Sequence, residues 1–185
     1  PTLAPRALDA ARRYASIAPV VPHALHMPSH TFTRVGYWKE SIATNKKSAE
    51  AARKAGGLAG AGEELHALDY QTYAALQLAD DTAAVAARDR AVTFEAGAAG
   101  GAYGFALAAI PARYALERQA WAEAAALTVR PAPGAVYAEA ITHFARAIGA
   151  ARAGTPAAAT ADIERLVAIK TLLVAAKDPY WAEQV

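Results

Sequence analysis

Apolar positions along this chain recur three and four residues apart. Over 163–174, Ile163, Leu166, Val167, Leu173 and Val174 follow that rhythm, with Lys170 reaching out of the stripe. Such spacing gathers apolar side chains on one face of an α-helix. Strict alternation of apolar and polar positions, the mark of a half-buried strand, is nearly missing. The segments between glycine and proline clusters consist mainly of Ala, Leu, Glu, Lys and Arg, residues that lose little rotamer freedom in a helix. Clusters at 19–22, 56–62, 97–104, 131–134 and 154–156 read as breaks, and the glycine-rich run 56–62 as a flexible connection. The pattern predicts an all-α chain of about nine helices.

Short amphipathic helices arriving in pairs point to internal repetition. One unit is explicit: Leu25 and Phe32 on a first helix, Gly36 at the turn, Trp38 two residues on, then Glu40, Ser41, Ile42 and Ser48 on a second helix. Gly36 supplies the left-handed conformation that ends a helix, Trp38 closes the hairpin core, and Ser41 and Ser48 let the two helices approach closely. This pattern resembles the tetratricopeptide repeat. Aligned by the turn, Ala79 (with Ala84 and Ala91), Gln119 (with Trp121 and Ala124) and Gly154 (with Ala159 and Leu166) take the place of Gly36. The hairpin units then fall at 22–62, 65–104, 105–139 and 140–177, longer at first than the family period of about 34 residues. Residues 1–21 read as the second helix of a preceding unit and 178–185 as the start of a further first helix. The chain 1–185 is therefore expected to be one solenoid segment of a longer array.

The resemblance implies a right-handed superhelix of helical hairpins over essentially the whole chain. The runs 22–34 and 64–70 are similar to those of a group of bacterial tetratricopeptide proteins with no settled biochemical role. That likeness implies a soluble chain, periplasmic or secreted, with a secretory signal upstream of the residues seen here. No function carries over from that group, but the tetratricopeptide resemblance itself implies a non-catalytic scaffold whose concave groove, lined by the first helix of each unit, binds a protein or peptide segment. The groove residues would be His23, His26, His30, Thr33 and Arg34 of one unit, His66, Asp69 and Tyr73 of the next, then Arg113 and Leu116, then Ile141 and Phe144. Arg34 and Arg113 would hold carboxylates, while Leu116, Ile141 and Phe144 would take apolar side chains. His143 falls at a position facing the hairpin core and reads as structural.

Four of the five histidines thus converge, which raises a second reading, a zinc or copper module. His26 and His30 stand four apart, the spacing at which two imidazoles on one helix face share a metal, with His66 or Asp69 completing the set. Pro28 argues against it. A proline there removes a backbone donor and clashes with the Ala24 carbonyl, and it pushes Met27 toward extended geometry, so a helix starting at Pro28 would leave His26 outside. On the plainer reading these histidines hydrogen-bond between neighbouring helices. A histidine-lined groove is also expected to gain positive charge below about pH 6.5, making the capture of an acidic ligand pH-sensitive.

Composition narrows the remaining classes. Alanine accounts for 54 of the 185 residues, so the 55% hydrophobic content is mostly small side chains, and with a mean hydropathy of +0.09 no membrane insertion is expected. A net charge of +2 with both signs interspersed, and only short pairs such as Arg12-Arg13 and Lys46-Lys47, gives no footprint for nucleic acid. The absence of cysteine excludes thiolate metal sites and cysteine nucleophiles. The run 56–62 lacks the Lys and Ser or Thr of a phosphate-binding loop, and 97–104 joins two helices instead of opening one after a strand. Glu63-Glu64 and Asp80-Asp81 are adjacent carboxylates that point to different helix faces, a poor arrangement for acid–base work. The residues therefore give no reason to expect an enzyme.

Overall fold

The computed structural model describes residues 2–95, 101–132 and 134–185, and all regular secondary structure among them is helical. Residues 97–100 of one expected break, and Pro133 of another, lie outside the described residues. Among the described residues no helix is long and apolar enough to cross a membrane. The chain folds as two compact units, Pro1–Phe94 and Glu95–Val185.

The first unit opens with a 3-10 turn, Ala4–Ala7, and a short α1 (Leu8–Tyr14), followed by α2 (Pro22–His26), α3 (Pro28–Arg34), α4 (Trp38–Ala55), α5 (Gly57–Gln77) and α6 (Asp81–Val92). The expected second helix at the N-terminus is thus realised only over α1. The serines of α4 lie at its contacts with the preceding helices: Ser41 and Ser48 are fully buried, with Ser48 Oγ donating to the Pro22 carbonyl at 2.8 Å and Ser41 Oγ lying 3.1 Å from Thr33 Oγ1. The run 56–62 is not a flexible connection. Gly56, at φ +68°, ends α4, and Gly57 begins the 21 residues of α5. Each helical glycine costs about 1 kcal/mol relative to alanine, but packing overrides that cost here. A Cβ at Gly60 would stand 2.6 Å from the Ala52 carbonyl oxygen, so the bare backbone is what lets α5 lie against α4.

A buried ion cluster ties three helices of this unit together. Glu64 on α5 accepts from Arg53 of α4 at 2.9 Å, and from Arg90 of α6 at 2.8 and 2.9 Å. Burial pushes the Glu64 carboxyl pKa up, yet the two guanidiniums outweigh it and hold the group below the usual carboxylate range. Glu63, one residue earlier, faces elsewhere, as adjacent helical positions must.

The second unit comprises α7 (Gly101–Glu117), α8 (Trp121–Ala125), α9 (Val136–Arg152), a 3-10 turn at Pro156–Ala159, α10 (Thr160–Ala175) and α11 (Pro179–Gln184). Its core is built largely of alanine. Ala108, Ala132, Ala135 and Ala138 form one cluster; Ala140, Ile169, Leu173 and Ala182 form another, closed by Trp181 stacked on Tyr137 at 3.9 Å. Small residues at the contacts permit close helices: a Cβ at Gly149 of α9 would stand 2.4 Å from the Ala125 nitrogen. On α10 the apolar stripe divides. Leu173 is buried and Leu166 half-buried, but Ile163, Val167 and Val174 are exposed and Ile169 turns inward instead, because among the described residues α10 packs chiefly on α9, α11 and the preceding 3-10 turn.

The repeated turn is the clearest regularity. Gly36, Ala79, Gln119 and Gly154 all adopt positive φ, and Lys177 before α11 does the same. At each joint the next residue's N–H returns to a carbonyl five positions back: Tyr37 to Phe32, Asp80 to Ala75, Ala120 to Ala115 and Thr155 to Ala150 at 2.9 Å, and Asp178 to Leu173 at 3.0 Å. The left-handed residue itself bonds three back, as in Ala79 to Leu76 at 3.0 Å. This is the Schellman ending, repeated at the positions aligned from sequence, with alanine, glutamine and lysine serving where glycine is the usual choice. Asp80 and Asp178 then cap the following helices by accepting from Ala83 and Trp181.

Candidate metal centre

Three histidines of the first unit meet where α2, α3 and α5 pack. His26 ends α2, His30 lies in the first turns of α3, and His66 lies in α5. One ligand nitrogen of each falls within 4.8 Å of the others, and this is the sole such group of three among the described residues. The expectation that Pro28 would break their alignment does not hold. Met27 keeps helical angles, φ −51° and ψ −37°, and its N–H still reaches the His23 carbonyl. The backbone therefore stays helical through the joint, the proline occupying the opening position of α3 where its missing donor is least costly. His26 Nε2 consequently lies 3.0 Å from His30 Nε2. Asp69 does not join them: it is buried on α5 and acts on His66 through its charge, not as a fourth ligand.

Two of the rings are held from behind by hydrogen bonds. His26 is 1% exposed, and its Nδ1 lies 2.7 Å from Asn45 Oδ1 of α4 and 3.4 Å from Ser29 Oγ. Asn45 is itself oriented, since its Nδ2 donates to the Ser41 carbonyl at 2.8 Å. Tyr70, one turn beyond His66 on α5, places its hydroxyl 2.9 Å from His30 Nδ1, and its ring lies 4.7 to 5.5 Å from all three imidazoles. His66 packs against His26 with ring centroids 4.3 Å apart. His23 stays outside the cluster, with a side chain 58% exposed and its Nδ1 3.5 Å from Glu63 Oε2, a buried oxygen that accepts no hydrogen bond among the described residues.

The electrostatics follow from burial. Desolvation lowers the His26 pKa to about 3, opposed by the Asn45 hydrogen bond and reinforced by the charge of the neighbouring histidines. His30 is lowered by burial and then by His66, His23 and Arg34; His66 is lowered by burial, although Asp69 and Glu63 pull it upward. The expected gain of positive charge is therefore displaced to lower pH for these three rings, furthest for His26. At neutral pH they are uncharged, which is the ionisation state that a metal ligand requires.

The remaining predicted groove residues separate by unit. In the first, Thr33 is engaged with Ser41, Arg34 is exposed at the end of α3, and Tyr73 packs edge-on against Trp38 at 5.5 Å. In the second, Arg113, Leu116, Ile141 and Phe144 line one open concavity of about 670 Å³ together with Phe105 and Trp181. His143 is structural as expected, its Nδ1 2.7 Å from Asp162, which also receives Arg146. Sequence reasoning missed Asn45 and Tyr70. Tyr70 was marked by its four-residue spacing from His66, the same signal that links His26 with His30; for Asn45 no local signal exists, because the packing of α2 on α4 alone brings it to the site. Compared with known proteins, the chain matches no family model, and no curated protein or solved structure matches it.

Proposed function

We propose that the first unit is a metal-binding module that holds one zinc or copper ion on His26, His30 and His66. The observation that carries this reading is the convergence of three neutral imidazole nitrogens within 4.8 Å. A tetrahedral ion with bonds of about 2.0–2.1 Å keeps its ligand atoms roughly 3.3 Å apart, so the 3.0 Å between His26 and His30 must open by only a few tenths. The absence of cysteine and the all-imidazole donor set suit zinc and copper above softer-ligand or oxygen-seeking ions. The test is calorimetric titration of chelator-treated protein with zinc and with copper, beside His30→Ala and His66→Ala. One ion per chain, a melting temperature raised by it, and loss of both effects in the variants is the expected result. Binding that survives both substitutions, or no binding at all, overturns the proposal.

A second reading has its own support in the second unit. There the concavity at Arg113, Leu116, Ile141 and Phe144 offers apolar walls beside a guanidinium, suited to a peptide with an apolar side chain next to a carboxylate. Both readings accommodate a tetratricopeptide-like, right-handed superhelix of hairpins, for which the recurring Schellman joints at 36, 79, 119 and 154 are the support.

A further inference from the structure

We infer that loading the metal reverses the hydrogen bond between His30 and Tyr70, with His30 moving its proton from Nε2 to Nδ1, and that Tyr70 is the positioning residue that permits this. The inference rests on the three-histidine reading of the site.

The proton positions follow from one fixed end. Asn45 Nδ2 is committed to the Ser41 carbonyl, so Oδ1 is the atom turned to His26, and an amide oxygen only accepts. His26 must then carry its hydrogen on Nδ1, and the neutral ring presents a bare lone pair at Nε2. Two bare nitrogens do not sit 3.0 Å apart, so His30 Nε2 holds a hydrogen and donates it to His26. That leaves His30 Nδ1 as an acceptor, and the Tyr70 hydroxyl at 2.9 Å donates to it. The metal-free chain thus runs Tyr70 to His30 to His26 to Asn45 to Ser41, every link a donor facing an acceptor.

An ion on His26 and His30 interrupts this chain at one place. His26 is already in the binding tautomer and keeps its bond to Asn45. His30 is in the wrong one: its Nε2 must surrender its hydrogen to free the lone pair, and a hydrogen must arrive at Nδ1 to keep the ring neutral, with no net proton gained or lost. Nδ1–H then faces the Tyr70 oxygen, which is sterically where it was but must turn its own hydrogen aside and accept. A hydroxyl does this by rotation about one bond, whereas a carbonyl could only accept and an ammonium only donate. Tyr70 is not a ligand of the same ion, because it addresses the Nδ1 edge of His30 while His26 faces the Nε2 edge. A ring nitrogen held by an outer partner is a general feature of metal-binding histidines, and losing that partner typically weakens binding about 10- to 100-fold.

The test is nitrogen-15 NMR of histidine-labelled protein at neutral pH, without and with zinc, on wild type and Tyr70→Phe. In wild type, His30 is expected to be Nε2-protonated before zinc and Nδ1-protonated after it, with His26 Nδ1-protonated throughout. Tyr70→Phe should weaken zinc binding about tenfold while His26 keeps its tautomer, a readout that also establishes that the site still folds. The copper-loaded wild type should show no tyrosinate-to-copper absorption band. Zinc binding with an unchanged His30 tautomer, equal affinity in Tyr70→Phe, or a tyrosinate band overturns this inference and leaves the metal reading intact. Failure of the wild type to bind any ion overturns both.

Discussion

His26 in the first unit and His143 in the second each place Nδ1 2.7 Å from an oxygen acceptor on a neighbouring helix, but the acceptors differ: the Asn45 amide for one and the Asp162 carboxylate for the other. Asp162 also receives Arg146 at 2.9 and 3.1 Å, and Arg146 donates onward to the Leu127 carbonyl at 3.0 Å. That constellation fastens α9 to α10 and to the chain after α8 by charge. Asn45 brings no charge, so burial dominates at His26 over the opposing Asn45 hydrogen bond, and the ring is neutral at neutral pH with the far nitrogen directed at two further imidazoles. One side chain thus serves as a fastener where its partner is a carboxylate shared with an arginine, and as a candidate ligand where its partner is an amide.

Acid breaks this comparison most strongly. In the metal-free protein the His26 pKa is lowered to about 3, and those of His30 and His66 are lowered too, whereas an unfolded histidine titrates near 6.5. Below about pH 6.5 the unfolded chain therefore binds protons that the folded first unit refuses, and stability falls as the pH drops from there toward about 3. For His26 alone the loss reaches roughly 3 kcal/mol by about pH 4.5. Denaturant unfolding at a series of pH values should show this slope, and His26→Gln should flatten it. A slope that His26→Gln leaves unchanged would mean that the first unit does not keep this ring neutral.

Removing the acceptors comes next. Asp162→Ala leaves a half-buried guanidinium and imidazole without their shared carboxylate, and is expected to cost about 2–3 kcal/mol. Asn45→Ala leaves one neutral N–H, with Ser29 Oγ at 3.4 Å as a poor substitute, and should cost less, about 1–2 kcal/mol. Equilibrium unfolding of the two variants measures the order; the reverse order would mean that the neutral network, not the charged one, is the stronger tie.

How far these features were legible in the sequence depends on their range. The hairpin joints at 36, 79, 119 and 154 were readable because a helix ending is set by a few consecutive residues. The pair His26 and His30 was readable as a spacing, and the doubt raised by Pro28 failed because a proline at the opening of a helix can leave the backbone helical. The helix through 57–62 was not readable, since glycine's local preference opposes it and it is the packing of α5 on α4, with Gly60 close to Ala52, that favours it. Asn45 was beyond reach for the same reason: it acts across nineteen positions through helix packing. Likewise the stripe on α10 predicted an apolar face correctly but not which of its members a neighbouring helix would cover.

The smallest effects test whether the joints of the two units are equivalent. Gly36 sits at φ +76° in the first unit, where a Cβ would meet nothing closer than Trp38 Nε1 at 3.9 Å, so any penalty for a side chain there is one of backbone conformation alone. Gln119 takes φ +55° in the second unit and already bears that penalty, which for an L-residue is about 1–2 kcal/mol. Gly36→Val should therefore destabilise the chain by about 1–2 kcal/mol, a β-branched residue tolerating positive φ poorly. Gln119→Gly should stabilise it, but only by a few tenths to about 1 kcal/mol, because glycine also loosens the unfolded chain. Shifts of opposite sign in the denaturant midpoint would show that both positions are held left-handed by the same ending; a destabilised Gln119→Gly would mean that the glutamine side chain contributes more to its joint than the conformation costs.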